Sequence, residues 1–242
     1  MKIVALDTST EYCSTALWID GAVDVREADA GQRHSELVLG MIDDLLKTHA
    51  LALRDLDGIA YGEGPGSFTG LRIACGVVQG LAFGADLPVL GVGTMLALAE
   101  GSGAERVVCC VDARMQEIYH AAYVRVGATS GAGAAPAAPP GAAGSWRALH
   151  TPRVCAPDAA PALEGSGWFA CGNAFSIYAQ VLARQYAGQL ETIAPERHPH
   201  AREIAALAAP RFASGQGVAA EQALPVYLRD KVALRIDERA TR

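Results

Sequence analysis

The residues of this chain best suited to chemistry are Asp7-Thr8-Ser9-Thr10, a carboxylate and three hydroxyls that follow the apolar run Ile3 to Leu6. At the end of a buried strand facing a cleft, Asp7 could hold a hydrated divalent cation while Thr8 and Ser9 meet a phosphate. The same four residues equally form an Asx-turn that closes the strand. Asp112 ends a second apolar run, Arg106 to Val111, in the same way, but Ala113-Arg114-Met115-Gln116-Glu117 follows it instead of glycines and hydroxyls. Arg114 or Glu117 could simply bond to Asp112, and a phosphate clamp with one half missing is a weak clamp.

The six histidines offer one close pair, His198-Pro199-His200, at the start of a helix. Without H-E-x-x-H or a third ligand in the pattern, the expectation is no metal site. Gly64-Pro65-Gly66-Ser67 is not a nucleophile elbow, and no base can be assigned to Ser67. The six cysteines, Cys13, Cys75, Cys109, Cys110, Cys155 and Cys171, form no C-x-x-C pair and sit mostly in apolar segments. Buried free thiols in a reducing cytosol account for them. Met1-Lys2 runs into a short apolar segment broken by Asp7, which is no signal peptide, and no uninterrupted apolar run is long enough to span a membrane. A cytoplasmic location is expected. A net charge of −6 with few basic runs argues against this chain gripping a nucleic-acid backbone unaided.

The elements that must position these residues centre on Tyr61 to Gly84, YGEGPGSFTGLRIACGVVQGLAFG. An apolar strand ends, a glycine turn follows, and Ser67 or Thr69 caps a helix that ends near Gly84. Three readings compete for this stretch: a close-packed strand–helix corner, a phosphate cradle of the wrong spacing for a P-loop or dinucleotide fold, and a docking helix. Gly70, Ala74, Gly76 and Gly80 would let another helix approach closely. Before it come strands over Ile3 to Leu6, Ser14 to Ile19 and Ala22 to Glu27, the last two joined by the hairpin signal Asp20-Gly21. A helix from Ser35 to Thr48 follows, with a wide apolar stripe, then a strand over Asp57 to Tyr61. After it come a strand, Pro88 to Val92, and a helix from Thr94.

The pattern then recurs. Strands are expected over Arg106 to Val111, Glu117 to Val126, Trp146 to His150, Trp168 to Cys171 and Glu191 to Ala194, with helices over Ala174 to Tyr186 and His200 to Ala213. Gly127 to Ser145, built of Gly, Ala, Pro, Ser and Thr, is an insertion expected to be disordered. Both halves read β-β-β followed by alternating helix and strand. The reading is α/β, with an N-terminal lobe of 1–103 plus about 214–242 and a C-terminal lobe of 104–213.

MKIVALDTSTEYCSTAL, QRHSELVLGMIDDLL, GEGPGSFTGLRIACGVVQGLAFG, VDARMQEIY and PVYLRDKVA closely resemble the TsaB (YeaZ) family of bacterial tRNA threonylcarbamoyladenosine biosynthesis proteins. The resemblance runs nearly end to end apart from the insertion. It implies an actin-like, sugar-kinase-like (ASKHA) fold of two ribonuclease-H-like lobes. It also implies a role in placing threonylcarbamoyl on N6 of the adenosine beside the anticodon in tRNAs reading codons that begin with A. The implied partners are the transferase TsaD, a catalytic paralogue, and the ATPase TsaE. The paralogue's metal-binding His-x-x-x-His has no counterpart in Gly91 to Leu98, and Cys171-Gly172-Asn173 is a poor substitute for a glycine-rich nucleotide turn. The resemblance therefore implies a non-catalytic scaffold with no intrinsic cofactor, in which Asp7, Thr8, Ser9 and Asp112 remain as a degenerate nucleotide cleft. ATP or ADP and Mg would enter only in the complex with TsaD and TsaE, and tRNA only through that complex.

In the family the interface uses the two first-lobe helices, here Ser35 to Thr48 and Thr69 to Phe83. The expected contacts are His34, Leu37, Met41, Phe68, Leu71, Arg72, Ala74 and Val78, with a homodimer over the same face when the chain is alone. Arginine at Ala74 or Val78 is expected to abolish pairing without unfolding the lobe. The competing activities are an ATP-dependent phosphotransferase or ATPase, for which Asp7 to Thr10 speaks, and a peptidase, for which no nucleophile, base or metal set speaks.

Overall fold

The computed structural model describes residues 1–126 and 145–229. Within them the chain forms two five-stranded sheets with the same internal order. The first runs β3 (Ala22–Asp29), β2 (Tyr12–Ile19), β1 (Lys2–Asp7), β4 (Gly58–Gly64), β5 (Val89–Gly93). The second runs β10 (Leu190–Ala194), β9 (Trp168–Cys171), β6 (Arg106–Asp112), β7 (Ile118–Arg125), β8 (Trp146–Cys155). Read from its third strand, the second sheet repeats the first. In each, three antiparallel strands are followed by two parallel ones. This is the duplication that the recurring pattern implies; the resemblance gives such lobes as ribonuclease-H-like. The insertion expected at Gly127 to Ser145 falls, but for Ser145, outside the described residues.

Strand β1 shows why the leading run is uniformly apolar. Side chains alternate across a strand. Val4 and Leu6 face α1 (His34–Thr48) and α2 (Phe68–Ala85), while Ile3 and Ala5 face α6 (Ala201–Ala213). With helices on both faces, every position is buried. The Asp20-Gly21 turn has positive φ at both residues, 49° and 99°, as a tight hairpin between twisted strands requires.

The second sheet is covered on one face by α4 (Ala174–Ile177) and α5 (Ala179–Gln185) and on the other by α3 (Thr94–Gly101). The single helix expected over Ala174 to Tyr186 breaks at Tyr178, whose φ of −114° and ψ of 32° leave the helical region. Its hydroxyl donates to Asp112 Oδ1 at 3.1 Å.

Two assignments differ from the sequence reading. Helix α6, expected in the C-terminal lobe, packs on the first sheet: Ile204, Ala205 and Ala208 join Ile3, Ala5 and Ala16 in one core. Its small side chains let it lie close to the strands. Helix α2 does meet the length and composition of a membrane span, yet its Leu71, Ala74, Val78 and Ala82 are packed in the core under α1. Helix α3 joins the lobes, with Met95 and Leu98 against the second sheet and Ala97 against the first.

Candidate functional site

The turn before α2 is built by close approach to β1. Ser67 caps the helix, its hydroxyl accepting from the Gly70 N–H at 3.3 Å, and the Ser67 N–H donates to the Ser9 carbonyl at 2.7 Å. A Cβ on Gly62 would stand 2.0 Å from Asp7 Oδ2, and one on Gly70 would stand 1.8 Å from the Thr8 carbonyl oxygen. The first half of the glycine-rich stretch is therefore a packed strand–helix corner. The Gly64–Pro65 peptide is cis.

This packing consumes the groups that could have met a phosphate. Asp7 is 1% exposed; its Oδ1 accepts from the Ser9 N–H at 3.0 Å and hydroxyl at 2.8 Å. The Thr8 hydroxyl donates to the Gly70 carbonyl at 2.7 Å. Asp7 Oδ2 is buried without a partner. Burial pushes the Asp7 carboxyl up to about 6, against the two Ser9 hydrogen bonds and the nearby His198, which pull it down. Asp112 is occupied as well: Arg114 donates its backbone N–H to Oδ1 at 3.1 Å and brings its guanidinium within 3.4 Å of Oδ2, while the Asn173 side-chain oxygen accepts from the Asp112 N–H at 2.8 Å. Both aspartates brace turns. As placed, Asp7, Thr8, Ser9 and Asp112 do not fit a phosphate or a hydrated magnesium ion.

The second half of the stretch behaves differently. Gly76, Gly80 and Gly84 are exposed, and a Cβ at any of them would meet nothing within 4 Å. Phe83 beside them is 84% exposed, and Ile73, Val77 and Leu81 are half-buried along the flanks. On α1, Leu39 is 49% exposed, and Leu37 and Met41 are half-buried against the same core. One side of α2 thus presents a flat strip of backbone with an aromatic ring at its end.

The expected contacts separate on this geometry. Leu71, Ala74 and Val78 are at most 1% exposed and belong to the core, so arginine at Ala74 or Val78 would unfold the lobe instead of merely blocking a partner. Helix α2 is apolar nearly all round, so its sequence does not mark which side faces out. His34 is 6% exposed, with its ring Nε2 2.9 Å from the Thr10 carbonyl, and it positions the start of α1. Phe68 and Arg72 lie toward the surface, with the Arg72 guanidinium 3.5 Å from the Phe68 ring centre, and Tyr227 of the tail packs on Phe68 at 5.3 Å. The tail is pinned there by the Val226 N–H on the Glu63 carbonyl at 2.7 Å and by Gln79 on the Ala223 carbonyl at 2.9 Å. Ile73, Val77, Phe83 and Gly84 on this open side are not among the contacts expected from the sequence; the four-residue spacing of Gly76, Gly80 and Gly84 is the signal that marks the side.

A third arrangement joins residues distant in sequence. Glu27 of β3 meets His198 and His200 at the lead-in to α6, their ligand-type atoms all within 4.8 Å of one another. The sequence offered two histidines and no third ligand; the strand supplies it.

Comparison with known proteins agrees with this architecture. The chain is 37% identical over 241 residues to the tRNA threonylcarbamoyladenosine biosynthesis protein TsaB of Escherichia coli, covering 96% of both chains. The chain belongs to the TsaB family. The TsaB of Haemophilus influenzae is 35% identical over 237 residues, covering 96% of this chain and 95% of that one. The family model described as TsaD: tRNA N6-adenosine threonylcarbamoyltransferase matches residues 27–236. The solved structure "YeaZ from Pseudomonas aeruginosa" superposes with a TM-score of 0.80 at 37% identity, covering 94% of this chain and 99% of that one. This chain thus has TsaB relatives and a family model titled for the transferase, on an α/β fold of two five-stranded sheets that it shares with YeaZ.

Proposed function

We propose that this chain acts in tRNA threonylcarbamoyladenosine biosynthesis as the non-catalytic partner of the TsaD transferase. It docks through the open side of α2 together with α1. The observation that carries this reading is the strip Gly76, Gly80 and Gly84 with Phe83 exposed at its end. A helix interior loses roughly 1 kcal/mol at each glycine relative to alanine. Among the described residues nothing fills the space above these three, so in this reading the offset comes from a second helix whose backbone approaches closely. A paralogous lobe with equivalent helices makes a pseudo-symmetric pair, and a second copy of this chain gives a homodimer over the same face. In this reading the complex is cytoplasmic, TsaE joins the assembled pair, tRNA is engaged only through the complex, and any ATP, ADP or magnesium is held with the partners.

Light scattering on size exclusion, for this chain alone and mixed with the TsaD of the same organism, tests it. A one-to-one complex that displaces any homodimer is expected, and Gly80→Arg should lose it while melting at or above the parent's temperature. Undiminished pairing in Gly80→Arg and in Gly76→Arg would overturn the assigned face. Failure to form any complex, with or without nucleotide, would overturn the partnership.

A further inference from the structure

We propose that Glu27, His198 and His200 form a binding site for a divalent transition-metal ion of the zinc class, which ties the lead-in of α6 to strand β3. The site lies on the face of the first sheet that α6 covers, opposite α1 and α2.

The argument starts from His198. Its Nδ1 stands 3.2 Å from the Glu196 carbonyl oxygen, which only accepts, so Nδ1 carries the proton. In the neutral ring the lone pair is then on Nε2. That atom is buried, has no hydrogen-bond donor, and faces Glu27 Oε1 at 3.4 Å. Two acceptors facing each other at that distance call for a cation between them. Ligands about 2.0–2.1 Å from a tetrahedral zinc stand roughly 3.3 Å apart, which matches this spacing. His200 Nδ1 is hydrogen-bonded to the other carboxylate oxygen, and a bound ion would take the place of that proton. The three ligand-type atoms, of the two kinds zinc accepts alongside thiolate, lie within 4.8 Å of one another.

The surroundings fit a held ion. The backbone carbonyl on His198 Nδ1 fixes the tautomer and the ring direction, the usual outer support of a metal-binding histidine. The Tyr12 ring lies flat on the His198 ring at 3.7 Å and 5°, which restrains it further. A cavity of about 330 Å³ adjoins the three residues, leaving room for a water in a fourth position. Arg197 and Arg202 line that cavity too, but so does Glu203, and its carboxylate oxygen Oε2 is buried without a partner. The alternative cation is a proton on His198 Nε2, which makes the cluster an ion pair with no metal.

Isothermal titration of the full, tag-free chain with zinc after chelator dialysis separates the two. One zinc per chain is expected near neutral pH, with a higher melting temperature in zinc. Glu27→Gln and His200→Ala should each weaken binding by about tenfold or more and abolish the thermal shift. Cobalt substitution should give a visible spectrum of nitrogen and oxygen ligation without a thiolate charge-transfer band. Absence of zinc binding in the parent chain would overturn the proposal. So would binding unchanged in both variants, or a thiolate band assigning the metal to the cysteines.

Discussion

Asp7 shows how one carboxylate takes a structural role on a fold that could have used it for chemistry. Its proton is held up to about 6, against an ordinary 3.8, because burial disfavours the charge. Below the ordinary value both folded and unfolded chains are protonated. Between 3.8 and about 6 the folded chain keeps a proton that the unfolded chain has lost, so stability falls as pH rises through that window. Above it, stability stays lower by about 3 kcal/mol on this account. Asp7→Asn keeps an oxygen for the Ser9 donors and removes the penalty, so its melting temperature at pH 7 should exceed the parent's and the fall between pH 4 and 6 should flatten. Parallel melting profiles for the two proteins across that range would refute this. Gly70→Ala places a Cβ 1.8 Å from the Thr8 carbonyl oxygen. Backbone must move to relieve the clash, so a loss of about 3 kcal/mol is expected in urea unfolding.

At the scale of the element, α2 is two surfaces on one helix. Its inner side is core, and Leu71→Ala should cost about 2–5 kcal/mol of stability. Its outer side carries glycines in open space, so Gly76→Ala and Gly80→Ala should each stabilise the isolated chain by about 0.5–1 kcal/mol. If the strip is the docking face, the same two substitutions weaken pairing with TsaD while raising the melting temperature. That opposition of signs separates docking from internal packing; stabilised variants with undiminished pairing would speak against docking there. The helix ends at Asp86, which adopts the left-handed conformation at φ 53°, and not at Gly84, which stays helical and exposed.

At the scale of the molecule, α3 is the joint. Glu100 at its end accepts from the Trp146 indole N–H at 2.5 Å and pairs with Arg125 at 3.3 Å, both on the second lobe. The two side chains of that pair are 15% and 12% exposed, and the Arg125 guanidinium also lies 4.4 Å from the Trp146 ring centre. Glu100→Ala would strand a partly buried cation and an indole donor, so a loss of about 2–4 kcal/mol is expected by chemical denaturation followed through tryptophan fluorescence. A denaturation midpoint equal to the parent's would show that the lobes do not rely on this contact. At the far side, the tail returns to the second lobe through Arg229 on Glu117, so among the described residues the chain crosses between lobes at α3, at the lead-in to α6 and in the tail.

Most of the elements, their order and the duplication are legible in the sequence, because hydrophobic period and turn chemistry act over neighbouring residues; the break at Tyr178 is not. The runs Ile3 to Leu6 and Arg106 to Val111 and the Asp20-Gly21 hairpin lie where their local pattern places them, and the cap of α2 is Ser67, one of the two residues the pattern allows. The sequence also carried the family resemblance, since the glycine-rich stretch is long and specific. Which side of α2 faces out is set by packing, because a helix apolar on nearly every side has no contrast by which its rotation can be read. Tertiary packing also decided that α6 serves the first sheet and that Asp7 has no room for a ligand. It alone brought Glu27 to His198 and His200, across a separation in sequence that no spacing rule spans.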